Sequence, residues 1–436
     1  MYLADIMTMS AHCFASNAAP VAATAAGEVR SLGRPLSHST RSFGSQIRAQ
    51  RVATASSTVA MGASVRSISG RAPRGGRSCW WWSGLGPVRC AFTAVPPTPT
   101  APPPPTPPDP SPYSAFARPR SVAAAASADA ASAKASPVAV TGATGLVGQR
   151  LVARLASEGR LVRVLTRDAT KAAEKFVGVP GVSCHGPTQW TSALSGSRAV
   201  VNLAGEPIAN RWDERVKGEL LRSRVDATRA VVDAIASLPD SARPSVLVSS
   251  SAVGFYGVSE SAEFDEASAP GDDFLGRLCV AWEAEAAKAE AFNVRVVTIR
   301  TGIVLARDGG ALAKMLPVFQ LFAGGPLGSG RQWFSWVHRD DLVSMLTSAV
   351  DDDAWRGAYN GTAPQPVRMG ALCEALGRAT GRPSWLPVPE LALQTLLGEG
   401  ATVVLEGQKV LPRRAIDERG FAFRYEDVDA ALRDLA

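Results

Sequence analysis

The stretch VAVTGATGLVGQRLVARLASEG, Val138–Gly159, decides the fold. It opens as a short β-branched run, crosses a turn containing Gly142, Gly145 and Gly148, and then carries apolar residues at Leu146, Val147, Leu151 and Leu155. That spacing is helical, so the order is strand, glycine turn, amphipathic helix. In Gly-x-x-Gly-x-x-Gly the first glycine allows a tight turn. The second lets a pyrophosphate approach the backbone, and the third lets the helix pack closely. The free N–H groups and positive dipole at the helix start suit phosphate. Gly142, Thr144, Gly145, Leu146, Val147 and Gly148 are therefore the candidate dinucleotide cradle. The bland alternative is an ordinary Gly-rich turn, and the strand–turn–helix context argues against it.

Downstream the alternation continues. LVRVLTRD (Leu161–Asp168) and AVVNLAG (Ala199–Gly205) read as strands, and a long helix runs through RWDERVKGELLRSRVDATRAVVDAIASL. SVLVSS, the helix DDFLGRLCVAWEAEAAKAEAF and the strand VRVVTIR (Val294–Arg300) follow. Continuous apolar strands alternating with helices predict an α/β, Rossmann-like, doubly wound parallel sheet. After Thr301 the chain turns irregular and Gly-rich. A helix DLVSMLTSAV is expected, capped by Asp340 or Asp341. RGAYNGTAPQPVRMGALCEALGRATG reads as a turn entering a helix, and the last stretch as a small α/β cap with two helices. The expected organisation is a leader over 1–136, a dinucleotide-binding domain over 137–385 and a C-terminal cap over 386–436, closing the crevice beyond the strands' carboxyl ends.

The first 136 residues hold 12 Arg and one Lys against four acids, a net of +9, while the whole chain is +7, leaving the remainder at −2. The high isoelectric point belongs to the leader, and a nucleic-acid-binding body loses its main support. Rich in Ala, Ser, Arg and Pro and poor in acids, the leader reads as an organelle transit peptide. VPPTPTAPPPPTPPDPSP (Val95–Pro112) reads as a stiff polyproline II spacer. CWWWSGL (Cys79–Leu85) could touch a membrane surface but is too short to span one, and no transmembrane run is present. The six cysteines are scattered without a Cys-x-x-Cys pair, so neither a zinc site nor a disulfide framework is indicated.

The second strand decides the cofactor. NAD sites usually end it with an acid that holds the ribose hydroxyls; here Thr166 and Arg167 stand there. A guanidinium suits the 2′-phosphate of NADP. Asp168 follows, so a shifted register would restore NAD, and Arg167 could be a solvated strand-end charge. Small residues in NLAG (Asn202–Gly205) let ribose lie close to the backbone.

These motifs, with SSSAVGFYG, RTGIVL and SWVHRDDL, resemble an extended short-chain dehydrogenase/reductase. NLAGEPIANRW, CVAWE, GGPLGSGRQWFSWVHRDDL, NGTAP and LLGEGATVVLEGQKVLPRR resemble its atypical branch called "epimerase family protein", found in bacteria, mitochondria and plastids. The resemblance spans Val138 to Leu435. It implies NADP binding, and that Thr166, Arg167, Leu203, Ala204, Gly205, Glu219 and Arg224 contact the cofactor or line its site. Arg224 could equally belong to a solvated helix face.

In the wider family a Tyr acts as acid/base with a Lys four residues on, beside a Ser. Ser251 matches the serine. Leu275 and Cys279 occupy the Tyr and Lys positions, so the pair is absent. Tyr256 is the candidate substitute. Cys279 is either a site thiol or core, with core the commoner role. Glu283 and Glu285 read as solvated. Arg300 and Arg331 could bind an anionic substrate group, and His338 could titrate there or simply pack. No metal signature is present. Two functions stay open: an NADP-dependent oxidoreductase or epimerase on a small substrate, or a catalytically silent NADP(H)-binding scaffold or regulator, which the branch's plastid members link to plastid division. The expected partners are a small molecule and at most a second copy in a homodimer. The expected location is the chloroplast, with the mitochondrion as the alternative.

Overall fold

A computed structural model describes residues 136–436. The leader, its spacer and CWWWSGL lie outside the described residues. Four apolar or small residues buried on both faces form β1 (Val138–Thr141), and the glycine turn leads into α1 (Leu146–Ser157), which buries Leu151, Val152 and Leu155. Then come β2 (Val162–Leu165), α2 (Ala169–Lys175), β3 (Val182–His185), α3 (Trp190–Leu194), β4 (Ala199–Asn202), α4 (Glu214–Ala236) and β5 (Val246–Ala252). They are followed by β6 (Glu263–Phe264), α5 (Phe274–Ala287), β7 (Arg295–Thr301), β8 (Ile303–Ala306), α6 (Gly310–Gln320), β9 (Trp333–Phe334), β10 (Trp336–His338), α7 (Arg339–Asp351) and β11 (Gly357–Gly361). The C-terminal elements are β12 (Val367–Arg368), α8 (Met369–Thr380), α9 (Glu390–Leu397), α10 (Thr402–Leu405), β13 (Lys409–Val410), α11 (Arg413–Asp417) and α12 (Val428–Leu435).

Seven strands pair in the order β11-β7-β5-β4-β1-β2-β3, every neighbour parallel. This is a Rossmann-like doubly wound sheet. From β1 the chain builds outward through β2 and β3, then returns to β4 on the other side of β1 and builds through β5, β7 and β11. The order reverses between β1 and β4, so the ligand crevice of such a sheet lies beyond Thr141 and Asn202. One face carries α1 and α7, where Leu151, Leu155, Leu342 and Leu346 share a buried cluster with the sheet. The other buries Val231 and Ile235 of α4 against Leu247 and Val296. Aspartates start four helices: Asp168, Asp213, Asp273 and Asp427 each accept a first-turn N–H, which satisfies donors that a helix leaves orphaned. Among the described residues no helix is long and apolar enough to cross a membrane.

The structure corrects three expectations. α7 is capped by His338, whose ring accepts from Asp340 N, and neither Asp340 nor Asp341 caps it. RGAYNG is no turn: Gly357–Gly361 is the edge strand of the main sheet. Past residue 386 there are four α-helices and one 3-10 turn, not two helices. These pieces are woven into the body. β13 pairs with β6, and Ala415 and Phe423 join the main buried cluster.

Candidate functional site

The glycine cradle is built so that side chains cannot enter it. Gly142 has φ +63, and a Cβ there would collide with the Leu203 carbonyl and stand 2.9 Å from Ala204 N. A Cβ on Gly148 would stand 2.6 Å from Ala143 Cα, and one on Gly145 3.2 Å from Gly142 O. The loop is thus pressed between the β4 exit and the start of α1. Gly145 occupies the cap position of α1 with no side chain to accept its first N–H groups. Those donors, at the positive end of the helix, face the crevice that a pyrophosphate would fill. Thr144 contributes its carbonyl, which accepts from Gln149 Nε2 at 2.8 Å and from Lys175 Nζ at 3.3 Å. Leu146 lies against the loop at Gly309 and Gly310, and Val147 packs on the main cluster.

At the end of β2 the register question has a geometric answer. Asp168 turns away to cap α2, accepting from Lys171 N at 3.0 Å. Arg167 is left at the strand end, its side chain 88% exposed and 3.2 Å from Glu206 Oε1. Thr166 Oγ accepts from Asp168 N at 3.3 Å.

The β4 exit is anchored from below. Buried Asn202 accepts from Thr141 Oγ at 2.6 Å and donates to Thr228 Oγ at 2.8 Å. Leu203 N donates to Thr141 Oγ at 3.2 Å. Leu203 and Ala204 are half-buried and Gly205 is exposed. Arg224 braces this loop: Nη2 donates to Glu206 O at 2.9 Å, and its guanidinium lies over Trp282. A Cβ on Gly205 would stand 3.2 Å from Arg224 Cζ. Burial lowers the Arg224 pKa. Glu219 is on the exposed side of α4, accepting from Arg215 one turn earlier at 2.6 Å.

Beyond β5 lies a buried polar chain. Ser251 is aligned with Arg300 in the sheet register and donates to Glu283 Oε1 at 2.6 Å. Glu283 receives Nε and Nη2 of Arg300, each at 2.9 Å. Arg300 Nη1 donates to the Tyr256 hydroxyl at 3.0 Å, and that hydroxyl donates to Asn360 Oδ1 at 2.7 Å. The guanidinium stacks 3.4 Å from the Phe255 centroid. Burial tends to lower the Arg300 pKa, but the Glu283 carboxylate outweighs it and the net shift is upward.

Several site expectations are corrected by this network. Tyr256 is 3% exposed, spends both its donor and an acceptor lone pair inside the protein, and is pushed up to about 12 by burial. In this fold the phenol is neutral and internally bonded rather than turned to the crevice. Arg300 is 6% exposed and saturated by Glu283 and Tyr256, so it is no anion clamp. His338 is a helix cap, stacked 3.9 Å from Tyr425 with Nε2 3.4 Å from Asp434 Oδ2, and burial lowers its pKa. Glu283 and Glu285 are not solvated: Glu283 pairs with Arg300, and Glu285 is buried against Arg229 and Lys288. Leu275 packs beneath Gly254, and Cys279 is buried with its thiol raised to about 11 by desolvation, 3.7 Å from Ala252 O. Arg331 is solvent-exposed, in an open groove of about 350 Å³ lined by Glu260, Ser329, Gly330 and Arg368. Trp333 Nε1 donates to Glu260 O at the groove, and Gln408 Nε2 donates to Val253 O at the chain leaving β5. On sequence Glu283 reads as solvated and is not brought to the site. Its one local signal is its place four residues past Cys279 on the same helix face.

Comparison with known proteins follows the same outline. The model of the NAD dependent epimerase/dehydratase family matches residues 138–360, and a domain of unknown function, DUF1731, matches 388–435. The chain is 55% identical over 300 residues to the chloroplastic epimerase family protein SDR39U1 homolog of Arabidopsis thaliana, covering 68% of this chain and 86% of that one. It is 38% identical over 306 residues to epimerase family protein YfhF of Bacillus subtilis, covering 68% and 97%. The crystal structure of human epimerase family protein SDR39U1 (isoform 2) with NADPH superposes with a TM-score of 0.62 at 35% identity, covering 69% of this chain and 99% of that one.

Proposed function

The chain belongs to the NAD-dependent epimerase/dehydratase family, and on that premise we propose that it binds NADP(H) and acts as an oxidoreductase or epimerase on a small organic substrate. The observation that carries the cofactor is the β2 end: Asp168 is spent as a helix cap, and Arg167 stands exposed there, held by Glu206, as a cation for a 2′-phosphate. A human relative crystallised with NADPH supports it. Gly142–Gly148 would hold the pyrophosphate on backbone N–H groups, and Leu203–Gly205 would let ribose lie against the backbone. Arg224 acts on the cofactor through that loop. A bound nicotinamide supplies hydride transfer.

The chain's own contribution centres on Ser251. Its hydroxyl proton points at Glu283 Oε1; the serine is itself buried, so accepting from a substrate O–H requires the crevice to open onto it. A substrate proton accepted by Ser251 can be passed on as the serine's own proton moves to Glu283. The carboxylate would thus take the proton in place of the missing lysine-assisted tyrosine. The Arg331 groove is the candidate seat for an anionic substrate group.

A second reading has its own observation. Leu275 and Cys279 hold the usual Tyr and Lys positions and Tyr256 is locked away, which fits a cofactor-binding regulator without turnover. Titration of the purified chain with NADPH, followed by a panel of carbonyls and alcohols, separates the two. Tight NADPH binding with turnover that Ser251→Ala removes supports the enzyme. Tight binding with silence across the panel supports the regulator, and no nucleotide binding sinks both. We further propose a plastid location, on the leader's composition and the chloroplastic relative. A fluorescent fusion of residues 1–136 that marks another compartment would overturn it.

A further inference from the structure

We propose that Lys175 is the second cation of the 2′-phosphate site and sets the preference for NADP(H) over NAD(H). This rests on the NADP(H) reading above. Arg167 alone is a poor anion receptor here, because Glu206 sits 3.2 Å from it and cancels its charge. A ribose 2′-phosphate carries close to two negative charges at pH 7. Entering that corner, it would meet a guanidinium already engaged and a carboxylate of its own sign.

Lys175 changes this balance. It is the last residue of α2, the helix that starts directly after Arg167 and Asp168. Seven residues of helix span roughly 10 Å. The direction of α2 and the length of the side chain bring the Lys175 ammonium back to the cradle, where it donates to Thr144 O at 3.3 Å. Its ammonium is thereby seated on the cradle, at the far end of the helix that leaves the β2 end. Arg167, Lys175, Asp168 and Glu206 together carry no net charge, and without Lys175 the corner is −1. The lysine is exposed, and among the described residues its partner is a carbonyl, so it can exchange that bond for a stronger charge-assisted one to phosphate. Lys171, on the same helix, gives its backbone N–H to the Asp168 cap and serves as the control.

The test is nucleotide fluorescence titration of the intact chain with NADPH and with NADH, wild type against Lys175→Ala and Lys171→Ala. A charge-assisted bond at an exposed site implies about a tenfold loss of NADPH affinity in Lys175→Ala. NADH affinity should change by less than about twofold, and Lys171→Ala should behave as wild type. Adenosine 2′,5′-bisphosphate should displace NADPH about tenfold less well from Lys175→Ala than from wild type, whereas ADP should not distinguish them. Equal losses for NADPH and NADH, or no loss for either, would overturn the assignment of Lys175 while leaving the cofactor reading intact. If wild type binds neither nucleotide, or prefers NADH, the cofactor reading itself fails.

Discussion

Glu283 shows how a residue can look like surface and act as core. On sequence it is one acid among several on a charged helix; its partner Arg300 lies on another element, and no local pattern announces the pair. In the fold Arg300 is 6% exposed, and Glu283 supplies both of its charge-assisted bonds. Removing one partner of a buried pair leaves the other charge uncompensated, at about 3–5 kcal/mol. Because the Glu283 side chain keeps 16% exposure, the lower end applies. Glu283→Ala should therefore lose about 3 kcal/mol in urea or guanidinium unfolding, and a loss under 1 kcal/mol would show that water screens the pair. Tyr256 gives a pH signature. Its phenol is raised to about 12, against about 10 in an unfolded chain. The neutral phenol is thus favoured by folding. That contribution is complete below about pH 10 and is lost as pH rises toward 12, to the extent of roughly 2–3 kcal/mol. Tyr256→Phe should be less stable at neutral pH, through the lost bonds to Asn360 and Arg300, yet lose less on going from pH 10 to pH 12. Parallel curves for the two proteins would mean the phenol is not held neutral.

At the scale of elements, the strands with continuous apolar runs were readable because both-face burial demands such runs. β1 and β4 follow this rule nearly throughout, and β2, β5 and β7 over their apolar residues, with Arg163, Ser249–Ser251, Arg295 and Arg300 as the polar exceptions. β11 does not: GAYNG has two glycines and no β-branched residue. Its strand conformation comes from pairing with β7 and from Glu266, which accepts Asn360 N at 2.9 Å. The start of α7 was misread for a similar reason. Asp341 has the right type and place for a cap, but its two oxygens accept Arg424 N and Tyr425 N, 83 and 84 residues away. Asp168 is the opposite case, where an apparent ribose ligand is a plain local cap. Removing a cap of this kind costs about 1 kcal/mol. Asp168→Ala should show that loss in thermal unfolding and leave NADH affinity unchanged in fluorescence titration. A several-fold loss of NADH affinity would return the carboxylate to the ribose and undo the argument for NADP.

At the scale of the whole molecule, the sequence marks a cap from residue 386, and the family matches also leave a gap between 360 and 388. The packing is less divided. α12 buries Leu432 and Leu435 in the same cluster as Leu372 and Leu376 of α8, and Asn360 Nδ2 donates to Leu411 O at 2.9 Å. Asp341 makes a double tie, since its carboxylate satisfies two backbone donors of the C-terminal segment, one of them on buried Tyr425. Without that acceptor each donor left dry costs about 1–3 kcal/mol. Asp341→Ala should thus lose about 2–4 kcal/mol. For a body of this size each kcal/mol moves the midpoint by about 2–4 °C, so the drop should be near 10 °C. The shape of the transition carries more information than its position. If the C-terminal segment shares the core, calorimetry should show one cooperative step in both proteins, with calorimetric and van't Hoff enthalpies equal. A separate low-temperature step in Asp341→Ala, with early hydrogen exchange confined to residues 386–436, would instead mark a cap that unfolds by itself and can open over the crevice while the sheet stays intact.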